Sequence, residues 1–457
     1  MVWLRMIPNR SLFSSVYASN IILSIITAVL LIDISTIKIS DLVSSHVATS
    51  STIALYISIT ITYALGQYFV LEFVKRKSSM IRDKDTKLHL NVLHRVSMIS
   101  QYAILGLLIV VILQIVIRSY YDTIFLTSAM MISYVLATVM LSFLAQRFFS
   151  WFRLNKNPVV LLYGLSSTTL ATNTTLVFVL LVATSSSMLT ETEQHGSTPP
   201  FFASGSLASM LAYGYTISSI VAFIVTWAAT ALLLHHYSQK LGRVKYWIIV
   251  SIPLIYFLSQ FLTLFLNLFA PLIESNPIFY GILFTLIFTL SKPVGGILFG
   301  VAFWTAAKSI NSSAVRDYLV ISAYGFMLLF ISNNPIPLLA TPYPPFGLAT
   351  VSFMGLSAYM IHVGIYSSAI SVSEDSNLRK SIRKFAIQES KLLDSISVAH
   401  MEQEITKRAI NMARAHSHRM TEEVGIQPSL TEPEIENYLD LVMKEIKKNK
   451  NGKESIK

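Results

Sequence analysis

The sequence predicts an all-α, polytopic bundle of about ten transmembrane helices followed by a helical tail, and three observations carry that reading. Of the 457 residues 53% are hydrophobic and only 13% charged, with a mean hydropathy of +0.59, values that set the chain apart from soluble globular domains. Apolar windows of about 20 residues, the length that crosses the hydrocarbon core as a helix, recur along residues 1–370. Lys and Arg collect in alternate connections between those windows.

Taken in order, the spans fall at 12–32, 52–74, 98–117, 123–145, 159–184, 207–234, 246–269, 277–307, 313–332 and 346–370. Arg5 and Arg10 precede the first, as in a signal sequence. The apolar run continues to Ile32 with no A-x-A-like cleavage site behind it, so it reads as an uncleaved span. With the N-terminus inside, the inner connections hold Lys75, Arg76, Lys77, Arg82, Lys84, Lys87 and Arg95, then Arg147, Arg153 and Lys156, then Lys240, Arg243 and Lys245, then Lys308 and Arg316. The outer ones hold only Lys38 and Arg118. This asymmetry predicts an N-in, C-in topology and accounts for the net charge of +11, which is an orientation signal and not a sign of nucleic-acid binding.

The 277–307 run is the anomalous element. As one straight helix its 31 residues would reach ~46 Å, well beyond the hydrocarbon core. Midway along it, Ser291-Lys292-Pro293-Val294-Gly295-Gly296 supplies a charge, a missing N–H and two flexible backbone positions. The alternation of basic loops still requires the run to cross once, which predicts a discontinuous eighth span. Of the connections, 185–204 is polar and small and reads as a surface loop. The segment 333–345 carries five of the 15 prolines and reads as a rigid cap dipping toward the bilayer.

Beyond Ile370 the composition changes. Residues 376–420 are charged and free of Pro and Gly, which predicts a long cytoplasmic helix. Val398, Met401, Ile405, Ala409 and Met412 form an apolar stripe, as do Ile382, Phe385, Leu392 and Ile396, suited to a short coiled coil or to docking. Gly425 and Pro428 end that helix, and a capping box at Thr431 with apolar Ile435, Leu439, Val442 and Ile446 starts another. The tail, 371–457, is therefore an amphipathic helical unit distinct from the bundle at 1–370. It offers a surface for a homo-oligomer or a cytoplasmic protein partner.

The stretch Thr341-Pro-Tyr-Pro-Pro-Phe-Gly-Leu-Ala-Thr-Val-Ser-Phe-Met-Gly-Leu-Ser-Ala-Tyr359, with Tyr366-Ser-Ser-Ala-Ile-Ser-Val-Ser-Glu374, resembles uncharacterised multi-span membrane proteins of ammonia-oxidising archaea. The likeness covers the last spans and the helical tail. It implies an archaeal cell membrane. That family has no assigned activity, so the resemblance lends no functional residues.

Candidate chemistry is sparse. Lys292 is the leading residue, because an ionisable group inside a span is costly and normally pairs, faces water or binds something. With Ser291 and the carbonyls freed by Pro293, it forms a candidate site for a carboxylate-bearing or other anionic solute at an unwound helix. The alternative is a span that ends near Ile297, with Lys292 snorkelling to the inner headgroups. Gly295, Gly296 and Gly300 serve the break and helix packing, the last two as a small-xxx-small pair. In the fifth span Ser166, Thr169 and Asn173 share one face and form a candidate polar lining, against the plainer reading that such hydroxyls bond their own helix.

Other intramembrane polar residues, among them Gln67, Gln101 and His362, read as interhelical glue. No cysteine is present, which removes disulfides, thiolate metal sites and cysteine catalysis. There is no H-E-x-x-H, P-loop or G-x-G-x-x-G, and no nucleophile, base and orienter can be assembled. The sequence thus predicts neither an enzyme nor a cofactor or metal site. Two functional readings stand: a small-solute transporter with the fifth and eighth spans on its path, and a membrane sensor or scaffold that binds a partner through its tail.

Overall fold

The computed structural model describes residues 16–42, 50–78, 84–190, 207–235, 238–239, 242–265, 287–308, 310, 312–334, 344–375, 379, 388–424, 434, 438, 441–442 and 445. The described residues form helices and connections, with no strand among them. The helices are α1 (Val16–Leu42), α2 (Ser50–Ser78), α3 (Lys84–Arg118), α4 (Thr123–Leu154), α5 (Pro158–Thr190) and α6 (Leu207–Leu234). They continue as α7 (Arg243–Phe265), α8 (Ser291–Lys308), α9 (Ser313–Ser332), α10 (Leu348–Ser352), α11 (Met354–Glu374) and α12 (Gln388–Val424). Several sequence readings lie outside the described residues: the N-terminal arginines, most of the polar loop at 185–204, residues 277–286 of the anomalous run, the prolines at 335–342, and the Gly425–Thr431 turn with its capping box.

Among the described residues eight helical stretches are long and apolar enough to cross a membrane: α2 to α7, α9, and α10 with α11 taken together. A shorter apolar stretch lies in α1 at Asn20–Thr36, and α8 has 18 residues. The chain is thus a multi-span membrane protein. Several helices are longer than the ~20 residues that cross a hydrocarbon core. For α3 and α4 the excess is polar or amphipathic and carries the basic residues at the start of α3 and at Arg147 and Arg153.

Local sequence sets the helix ends. Asp122 caps α4 by accepting the Ile124 N–H at 2.9 Å. Asn157 likewise accepts the Val159 N–H at 2.9 Å, immediately before Pro158 opens α5 at a position where no intrahelical N–H is needed.

The bundle has a centre and a periphery. The apolar window of α10–α11 is entirely buried and that of α9 is 89% buried, whereas α3 and α7 bury only 28% and 22% of theirs. The central pair touches closely because its seam is small: a Cβ on Gly364 of α11 would sit 2.3 Å from Ser322 Oγ and 2.5 Å from the Tyr318 carbonyl of α9. On the lipid side, Ile99, Leu113 and Ile117 of α3 and Val244, Ile252 and Ile255 of α7 are exposed apolar residues, as expected of helices bathed in acyl chains.

At one end the tail closes against the bundle. Leu392, Leu393, Ile396 and Ala399 of α12 are buried. Asn157 donates to Ser395 Oγ at 2.7 Å, and Gln403 donates to Ser150 Oγ at 2.5 Å. Tyr366 of α11 anchors the junction: its ring takes the Arg147 guanidinium at 5.0 Å and stacks near Trp151 at 6.4 Å, with His400 edge-on at 5.8 Å. The first half of α12 is therefore docked, while Ile405 and Met412 beyond it are exposed.

Candidate functional site

Lys292 stands in the first turn of α8, which begins at Ser291; residues 289 and 290 before it form a turn. The break falls where the Pro sits because Pro293 cannot donate to the carbonyl four residues back, and the first regular bond of the helix runs from Val294 N–H to Leu290 O at 2.9 Å. The glycines then let α8 approach its neighbours. A Cβ on Gly300 would meet the Ala323 carbonyl at 2.6 Å, one on Gly296 would meet Phe330 Cβ at 2.8 Å, and one on Gly295 would overlap the Phe223 ring at 2.3 Å. Helix α8 is thus seated against α9 through Gly296 and Gly300 and against α6 through Gly295.

That seating carries the ammonium into a four-helix polar cluster. Lys292 Nζ donates to Tyr215 Oη of α6 at 2.7 Å and to the Asn333 carbonyl, just past α9, at 2.9 Å. It also lies 4.9 Å from the centre of the Tyr215 ring. Tyr215 donates its own hydroxyl proton to the same Asn333 carbonyl at 3.1 Å. Asn333 in turn donates from Nδ2 to Asn173 Oδ1 of α5 at 2.9 Å. Asn173 donates to the Tyr215 carbonyl at 3.1 Å and to Ser218 Oγ at 2.8 Å. Among the described residues no carboxylate pairs with Lys292, so its partners are neutral oxygens and a ring face.

Lys292 and Lys308 stand at opposite ends of α8. Lys308 closes α8 beside the short connection into α9, and Lys292 lies at the opposite end of the helix, ~24 Å away at ~1.5 Å per residue. Lys292 belongs with the end of α9 that carries Asn333.

The other candidates divide. Asn173 joins the Lys292 cluster and Ser291 is buried at its edge. Ser166 does not reach the cluster; it pairs with Thr226 Oγ1 of α6 at 2.6 Å, about 10 Å further along α5. Thr169 donates to the Ser166 carbonyl at 3.0 Å, the plain back-bond of a helical hydroxyl. The shared face of α5 is therefore a contact with α6, and only Asn173 on it joins the cluster, through Asn333.

A second buried charge was missed because the apolar run was taken to end at Ile32, one residue before it. Helix α1 continues to Leu42, which places Asp33 inside the bundle with no exposed surface. Its carboxylate accepts the Gly347 N–H at 2.8 Å, the Thr350 N–H at 3.0 Å and the Thr350 hydroxyl at 2.7 Å. Asp33 thus caps α10 from another part of the chain, at a turn whose Gly347 has φ +86°. The last span is itself interrupted, at Phe353 between α10 and α11. Ser133 of α4 bridges that break, donating toward the Val351 and Ser352 carbonyls at 3.0 Å and accepting the Gly355 N–H at 3.1 Å.

Sequence reasoning also missed Tyr215 and Asn333. The Asn333-Asn334 doublet at the end of the ninth span was a usable signal, since amides at a span end commonly cap or bridge; Tyr215 carried none. A cavity of about 300 Å³ opens elsewhere, at the junction of α11 and α12, between Glu374, His400, Glu404 and Arg408. Among the described residues no group of three His, Asp or Glu side chains is placed to hold a metal. No sequence family, characterised protein or solved structure matches this chain, so the geometry alone identifies it as a multi-span membrane protein.

Proposed function

We propose that the protein is a small-solute transporter that receives an anionic, carboxylate-bearing solute at Lys292. In this reading ten helices cross an archaeal cell membrane, the N-terminus and tail face the cytoplasm, and Lys292 lies toward the outer side. The single supporting observation is the lysine's setting. A cation at the start of a helix, where backbone amides and the helix dipole also favour negative charge, is met by neutral acceptors from two neighbouring elements and by no carboxylate among the described residues. A purely structural lysine in a span is better served by an acid, as Lys77 of α2 is by Asp317 of α9 at 2.6 Å. Interrupted helices whose ends point at solute are the recurrent device of carriers.

The test is uptake into proteoliposomes by the wild type and Lys292→Ala across a panel of carboxylates. Flux with the wild type and background flux with the variant is the expected result. Background flux with both across the panel removes the transport reading.

One observation favours a second reading, a membrane scaffold. Helix α12 is docked along its first half, while Ile405 is 45% and Met412 61% exposed on its second, a stripe that a cytoplasmic partner would cover. Affinity capture with the full chain and with Ile405→Glu/Met412→Glu decides it: a partner held by the first and lost by the second supports a scaffold, and a partner held equally by both removes the role of the stripe.

A further inference from the structure

Resting on the transport reading, the hydrogen bonds around Lys292 point to a narrower class of solute. Asn333 is the clue. Its side chain is buried, 2% exposed, and its orientation is fixed by the relay of Nδ2 to Asn173 Oδ1 and of Asn173 onward to Tyr215 and Ser218. That relay leaves Asn333 Oδ1 as an acceptor without a donor. Buried acceptors are nearly always paired, and Asn333 cannot use its neighbour: the Lys292 proton goes to its backbone carbonyl, which also receives the Tyr215 hydroxyl. Lys292 has the complementary feature, an ammonium with three protons whose two bonds within the chain run to Tyr215 and Asn333. One residue thus offers a cationic donor, and the residue bonded to it offers an open neutral acceptor.

We infer that the site selects solutes that carry a carboxylate together with an N–H donor a few bonds away, zwitterionic amino acids being the simplest, over plain monocarboxylates of the same size. The carboxylate meets the Lys292 ammonium and the first turn of α8, and the ammonium of the solute donates to Asn333 Oδ1. A propionate ion satisfies the lysine and leaves Asn333 Oδ1 unpaired, and a site built around a buried acceptor discriminates against ligands that lack its donor. A chloride ion fares no better, since it brings no donor.

The experiment is ligand-induced thermal stabilisation of the purified full-length protein, titrated with alanine, propionate and chloride at constant ionic strength. The expected result is alanine binding at least about tenfold tighter than propionate, with chloride weaker than either. In Asn333→Leu the alanine-to-propionate ratio should fall to about one, and Lys292→Gln should lose both ligands. Equal affinities for alanine and propionate in the wild type overturn the inference, as does an unchanged ratio in Asn333→Leu. The wild-type series alone decides the point if that variant does not fold.

Failure here is distinguishable from failure of the transport reading. Propionate and alanine taken up equally well by proteoliposomes would overturn the selectivity and keep the carrier. Tenfold preference in binding with no flux of either solute would keep the selectivity and overturn the carrier.

Discussion

Two charges, Asp33 fully buried and Lys292 partly buried, each sit at the start of a helix, and they are solvated by the protein in opposite ways. Asp33 is saturated: three donors converge on it, all from the Gly347–Thr350 turn, so the carboxylate and the turn it caps define one another. Lys292 is held by two acceptors, one of which is shared with Tyr215, and the amide beside it keeps an open oxygen. A charge whose partners are complete and local does structural work. Lys292 instead draws two acceptors from two separate elements, α6 and the end of α9. On the proposed reading the contrast separates a cap from a site.

The largest effect should come from breaking the saturated charge. Asp33→Ala strands two buried amide N–H groups, and a loss of roughly 2–5 kcal/mol is expected, since unpaired buried donors cost about 1–3 kcal/mol each and do not add fully. Thermal unfolding in detergent should register it as a large drop in midpoint or a failure to purify as a monodisperse species. Next comes steric disruption of the seating that carries Lys292 inward. Gly300→Leu drives a side chain into the Ala323 carbonyl and Met327 of α9, with about 1–3 kcal/mol lost to overpacking, and uptake should fall along with stability.

Lys292→Gln sharpens the comparison because it should uncouple the two readouts. Removing an ion from a low-dielectric setting relieves a desolvation cost, so the thermal midpoint should change little or rise while uptake falls to background. The smallest expected change is Thr350→Val, which deletes one of the three bonds to Asp33 and should cost on the order of 1 kcal/mol with uptake intact. Should Lys292→Gln prove as damaging to stability as Asp33→Ala, the distinction between site and cap would be lost.

How much of this was legible in the sequence follows from what each feature depends on. The spans were legible because hydropathy over ~20 residues is a local property: the reading at 207–234 coincides with α6 and that at 313–332 with α9. The break at Ser291 was legible for the same reason, since Pro293 acts on its own helix. The ends of α1 and α3 were not, because helices run on past the hydrocarbon core where polar side chains find water or protein, and Asp33 was lost beyond Ile32 on that account. The break at Phe353 left no Pro or Gly at the break itself; it depends on Ser133 of a distant helix supplying bonds to freed backbone groups. Of the proposed polar face on α5, Asn173 reached Asn333 and Ser166 reached Thr226. One helical face can serve two different neighbours at different depths, and periodicity alone does not distinguish them.

The central claim is that Lys292 is a solute site and not a structural charge. Uptake of a labelled carboxylate solute should therefore be measured in proteoliposomes holding equal amounts of folded wild type, Lys292→Gln and Thr350→Val. The account predicts background flux for Lys292→Gln at an undiminished thermal midpoint, and wild-type flux for Thr350→Val. Wild-type flux from Lys292→Gln would contradict it.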